Sequence, residues 1–239
     1  MNNTSRLVYV WSRYLRIFHW LNALAIMLLL GFGLVIFYAS TLGISTDGKV
    51  ILKTLHVMVG YVFAINLLVR IIMGFVGKDY ERWSKTLPFT KGFITQLAGL
   101  KHEAHKKHMG HNPLGKLMVG ALLLVMIVQM ISGLVVAGTD IYYPPFGQYF
   151  VKSIALDKTQ LDLIKPYSKE NVDETAYQSM REFRNPFITA HIYSFYTLLI
   201  LIPLHIIGVM ISERREKTAL VSAMINGYKY LPEKNLDEK

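Results

Sequence analysis

Residues 187–211 read FITAHIYSFYTLLILIPLHIIGVMI, a run of 25 positions with no Asp, Glu, Lys or Arg. At a rise of about 1.5 Å per residue, about 20 apolar residues cross the hydrocarbon core of a bilayer. Three further stretches are long and mostly apolar, so the chain is expected to cross a membrane four times, at about 17–39, 52–76, 114–137 and 187–211. The first of them is too long for the apolar core of a cleaved signal peptide, carries His19 and Asn22, and is followed by no small-residue cleavage site. The whole chain is read as one all-α membrane domain, a four-helix bundle, over residues 1–239.

Composition excludes several alternatives. Of the 239 residues, 52% are hydrophobic and 18% charged, and cysteine is absent. A disordered tail, a disulfide scaffold, thiolate-bound zinc or iron–sulfur centres and a cysteine nucleophile are therefore ruled out. A net charge of +10 would suggest nucleic acid in a soluble protein. Here the placement of the charge accounts for it, and no nucleic-acid partner is expected. With the N-terminus in the cytoplasm, 17 of the 26 Lys and Arg residues fall in residues 1–16, 77–116 and 212–239, and eight fall in 40–53 and 138–186. The positive-inside rule then puts both termini, the loop 77–113 and the tail 212–239 in the cytoplasm, and the loop 138–186 in the periplasm. Asn112-Pro113 and Asn185-Pro186 each read as a helix N-cap followed by proline at the first helical position.

Four of the eight histidines lie in the spans: His19, His56, His191 and His205. An ionisable side chain at membrane depth is costly unless it faces a partner, a cavity or a cofactor. His191 and His205 are 14 residues apart, which on a helix returns to within about 40° of the same face and separates them by about 21 Å. In the orientation above, His19 and His205 lie toward the cytoplasmic side and His56 and His191 toward the periplasmic side. Each depth-matched pair can clamp one metal from opposite sides. Paired imidazoles are axial ligands of haem iron, and with both axial positions filled no site is left for oxygen, which suits electron transfer. Two haems b, on His19/His205 and His56/His191, are expected; covalent attachment is excluded because no Cys-x-x-Cys-His occurs.

Arg70 falls 14 residues after His56. Its charge is read either as meeting a haem propionate or quinone oxygen, or as snorkelling to the headgroups. Pro203, two residues before His205, is expected to kink its helix. The remaining histidines, His102, His105, His108 and His111, repeat every third residue. They lack the spacing of a zinc-protease site and read as part of a solvated, basic, lipid-facing stretch.

Several stretches together resemble the b-type cytochrome subunits of bacterial membrane-bound Ni/Fe hydrogenases, relatives of formate dehydrogenase cytochrome b subunits. They are Arg16-Ile17-Phe18-His19-Trp20, Leu55-His56 with Gly60, Leu68-Val69-Arg70-Ile71, Gly110-His111-Asn112-Pro113, the His191/His205 pair and Asn226-Gly227-Tyr228-Lys229. The resemblance implies a multi-pass protein of the bacterial inner membrane with two haems b. It also implies electron flow between menaquinone or ubiquinone and a periplasmic redox partner, either an iron–sulfur subunit like the hydrogenase small subunit or a c-type cytochrome. It places His111, Asn112 and Arg70 near the cytoplasmic haem or a quinone pocket. No catalytic residue is implied; the chain would be an electron-transfer subunit and not a complete enzyme. Two rival readings keep the histidines but change their use: a proton or ion transporter with a histidine relay, and a haem-containing metal reductase without a protein partner.

Overall fold

The computed structural model describes residues 5–89, 92–99 and 107–232; His102 and His105 lie outside the described residues. In chain order the elements are β1 Ser5–Tyr9, α1 Arg13–Phe37, α2 Thr46–Val76, α3 Trp83–Thr86, α4 Phe93–Gly99, α5 Pro113–Asp140, α6 Gly147–Ile154, α7 Glu174–Glu216, α8 Leu220–Asn226 and β2 Tyr228–Pro232. Among the described residues, α1, α2, α5 and α7 are long and apolar enough to cross a membrane. Their outward positions are apolar too, with Met27 71%, Phe75 72% and Ile65 63% exposed. Such surfaces are unfavourable in water and natural in lipid.

The chain forms two compact units, one of Met1–Leu21, Asn66–Leu124 and Leu198–Lys239, the other of Asn22–Ile65 and Val125–Thr197. In the first unit the chain ends pair: β1 runs antiparallel to β2, with Ser5 opposite Pro232 and Tyr9 opposite Tyr228. This corrects the all-α expectation at the chain ends. Gly227 closes α8 with φ +93°, and a Cβ there would lie 2.5 Å from the Tyr9 ring and 2.8 Å from the Trp11 carbonyl oxygen. Only glycine fits that position without strain. Val10, Trp11, Leu15, Ala223 and Leu231 form the small core beneath the strands. Lys229 is almost fully buried there. Its Nζ donates to the Gly110 carbonyl at 2.9 Å and the His108 carbonyl at 3.3 Å and sits 5.2 Å from the Trp11 ring centre.

In the second unit the helices run further than hydropathy predicts. Asn185-Pro186 does not cap the last long helix: α7 starts at Glu174, and Asp173 Oδ1 accepts from the Ala176 N–H at 2.7 Å. The polar first turns of α7 are held outside the apolar segment because Met180 joins a core with Phe150, Ile154, Ala155, Ile164 and Val172. Pro186 and Pro203 both lie inside the helix. The Asn112-Pro113 reading does match: Asn112 Oδ1 accepts from the Gly115 N–H at 2.8 Å, and α5 begins at Pro113. At the other end of α5, Asp140 pairs with Lys53 of α2 and, at 2.9 Å, with Arg184 of α7. One carboxylate thus ties three helices together.

Candidate functional site

His56 on α2 and His191 on α7 face each other, with ring centres 6.2 Å apart. Imidazoles that face each other from two helices would be able to hold one metal-bearing group between them. Glycines stand beside both rings. A Cβ on Gly33 of α1 would lie 3.6 Å from His56 Cε1, and one on Gly133 of α5 would lie 3.1 Å from His191 Cε1.

Two polar side chains of α5, Gln129 and Ser132, stand at the two nitrogens of the His191 ring. Ser132 Oγ donates to the Val128 carbonyl at 2.7 Å, so its oxygen is free to accept from His191 Nδ1, 3.1 Å away. Gln129 Oε1 accepts the Ser194 hydroxyl, which turns the Gln129 amide nitrogen toward His191 Nε2 at 3.1 Å. These contacts are satisfied when Nδ1 carries the proton and Nε2 presents its lone pair. A metal ligand needs that lone pair, and the hydrogen bond at the other nitrogen orients the ring. Removing the Ser132 hydroxyl in Ser132→Ala is expected to lower haem affinity about 10–100-fold, measured by haem retention during dilution of the purified protein. Gln129 and Ser132 were missed in the sequence. The available signal was their three-residue spacing inside an otherwise apolar helix, where polar side chains need partners.

His19 on α1 and His205 on α7 lie within electrostatic range of each other. Among the described residues, the Nδ1 atoms of His19 and of His56 are buried with no hydrogen-bond partner. Orphaned buried polar atoms carry a cost that a ligand or an acceptor on a bound group relieves. Among the described residues no group of three or more His, Cys, Asp or Glu could hold a bare metal ion. Two imidazoles suit an iron that brings the rest of its ligands in a porphyrin, so the residues present fit haem b.

The other predicted site residues have protein partners. Arg70 is 3% exposed. Its Nη1 donates to the Glu81 carbonyl at 2.9 Å, and its guanidinium lies 4.2 Å from the Trp83 ring centre and 6.0 Å from that of Phe18. Asn112 Nδ2 donates to Glu216 Oε1 at 2.9 Å and Ser212 Oγ at 3.3 Å.

His111 packs against Trp11 with ring centres 4.8 Å apart, which takes it out of the solvated stretch in which the sequence placed it. Burial first, then the charge of Lys229, push its imidazole from 6.5 down to about 3. Between those values the unfolded chain binds a proton that the folded chain refuses, so stability falls as the pH drops below 6.5. The unfolding equilibrium is expected to shift about tenfold per pH unit in that window. His111→Asn is expected to flatten this dependence, measured by Trp fluorescence during denaturation between pH 7 and pH 4.

No solved structure matches the chain. Among curated proteins it is similar to one described as a probable Ni/Fe-hydrogenase B-type cytochrome subunit of Rhodobacter capsulatus. The two are 31% identical over 155 residues, covering 59% of this chain and 57% of that protein. Proteins with the same description from Azotobacter chroococcum mcd 1 and Bradyrhizobium diazoefficiens are 30% and 32% identical, over 59% and 46% of this chain and 62% and 49% of their own lengths. The aligned region thus spans less than two thirds of these relatives. The family described as prokaryotic cytochrome b561 matches residues 10–227. Nearly the whole chain, with its four long apolar helices and all four of their histidines, falls inside that match, and the protein belongs to the prokaryotic cytochrome b561 family.

Proposed function

We propose that the protein is a di-haem electron-transfer subunit that passes electrons across the bacterial inner membrane. It would connect the quinone pool to a periplasmic redox partner, with both termini in the cytoplasm. Membership in a b-type cytochrome family makes this a membrane protein that uses haem b. The finer reading rests above all on the facing pair His56 and His191. The similarity to hydrogenase cytochrome subunits favours a hydrogenase-like iron–sulfur subunit as partner, with a c-type cytochrome as the other candidate.

Haem b, when bound, supplies a one-electron couple. The chain supplies the rest. His56 with His191, and His19 with His205, would hold the two groups through their imidazoles. Ser132 keeps His191 in the ligating tautomer, and the apolar faces of the four helices exclude water. Menaquinone or ubiquinone would exchange electrons near His111, Asn112 and Arg70. Arg70 is held there by a carbonyl and an indole face, and among the described residues no carboxylate is bonded to it.

A reduced-minus-oxidised spectrum with pyridine haemochrome quantification on the purified protein tests this reading. Two haems b per chain with low-spin bands are the expected result. A folded, colourless protein after expression with haem in supply would overturn it and turn attention to the histidine-relay transporter.

A further inference from the structure

One groove is used by none of the chemistry above. It lies in the first unit, has a volume of about 490 Å³, and is lined by Arg13, Arg16, Ile17, Trp20, Leu21, Met224 and Ile225. Its two walls are the start of α1 and the helix α8. Two side chains from α1 fasten them together: Trp20 Nε1 donates to the Met224 carbonyl at 2.8 Å, and Arg16 Nη1 donates to the Ile225 carbonyl. These bonds satisfy carbonyls at the end of α8 that would otherwise lack partners, so the groove is preformed.

The floor and the rim differ in chemistry. Ile17 is 54%, Trp20 50% and Ile225 64% exposed, an apolar strip with no protein over it. Beside it stand two guanidinium groups and, among the described residues, no carboxylate. Among the described residues neither arginine makes an ion pair, and Arg16 Nε is buried with no hydrogen-bond partner. Two cations at the mouth of an apolar groove, at the end of a membrane-spanning helix, complement a molecule with an anionic head and a hydrocarbon tail. A neutral quinone would leave both charges unanswered. Basic pockets beside spanning helices recruit anionic headgroups in the same way.

We propose that this groove is a specific site for one anionic phospholipid, its phosphate on Arg13 and Arg16 and an acyl chain along Ile17, Trp20 and Ile225. The site needs only the membrane reading of the chain and does not depend on how many haems are bound. A bound lipid would bridge α1 to α8 and so hold the C-terminal segment against the helix that carries His19.

Native mass spectrometry of the haem-loaded protein, freed of lipid in detergent and then offered equal amounts of dioleoyl phosphatidylglycerol and dioleoyl phosphatidylcholine, tests the proposal. The expected result is one retained phosphatidylglycerol, preferred about tenfold over phosphatidylcholine. Arg13→Gln, at an exposed side chain with no hydrogen bond or ion pair among the described residues, is expected to weaken the preference, and the Arg13→Gln/Arg16→Gln double variant to abolish it with the haem spectrum unchanged. Equal retention of both lipids by the unaltered protein would overturn the proposal. So would a preference that survives the double variant, displacement of the lipid by a short-chain naphthoquinone, or full competition by inorganic phosphate. The haem spectrum separates these outcomes from failure of the cytochrome reading, because the protein can keep its haems and still show no lipid preference.

Discussion

His56→Ala and His191→Ala are each expected to remove about half of the haem absorbance, whereas His19→Ala and His205→Ala remove the other half. Haem that two imidazoles would hold is expected to be held weakly when one of them is deleted. In the second unit the groups around the pair are Gln129, Ser132 and Ser194. Their amide and hydroxyl groups are poor substitutes for an imidazole nitrogen at haem iron. The loss should be selective, because the two histidines of the other pair belong to a different unit. Pyridine haemochrome per chain, with size-exclusion elution as the check on folding, measures it. Even loss of both haems from every single variant would point to a shared folding defect instead of paired ligation.

Asp140→Ala is expected to cost about 3 kcal/mol of stability. Asp140 answers two cations at once, Lys53 and Arg184, and all three side chains are a quarter exposed or less. Removing the carboxylate strands two positive charges at the end of the helices, which costs more than the lost attraction alone. Arg184 Nη1 would keep only its bond to the Thr139 carbonyl at 3.2 Å. Asp140→Asn keeps part of the hydrogen bonding and should cost about half as much. Lys53 is three residues before His56 and Asp140 lies on the helix that carries Ser132, so haem loss on heating should move in step with unfolding. A haem-absorbance melt of the two variants beside the unaltered protein measures both effects. A change within about 0.5 kcal/mol would mark the cluster as a surface ion pair.

The four long helices and the histidines on them were legible because hydropathy and the cost of a buried imidazole are local properties of a sequence. Helix ends were less legible. Asn112-Pro113 and Asn185-Pro186 are the same dipeptide, yet the first begins a helix and the second lies within one. The difference comes from Met180, which finds a core in the loop between α5 and α7 and carries the helix back to Glu174. The pairing of β1 with β2 was hidden for another reason: strands of five residues at opposite ends of the chain have no local signature of their partner. Buried Lys229 was hidden with them, since its place depends on carbonyls more than a hundred residues away. Ser132 and Gln129 read as ordinary polar residues until His191 is beside them.

Electrons are expected to cross the membrane through the two histidine pairs. The direct measurement uses proteoliposomes with the protein inserted in one orientation, a menaquinol in the bilayer, and a membrane-impermeant electron acceptor on the side of the loop between α5 and α7. The account predicts reduction of the acceptor that is lost in His191→Ala and in His205→Ala alike. Reduction that persists when either pair is broken, or that never reaches the acceptor in the intact protein, would contradict it.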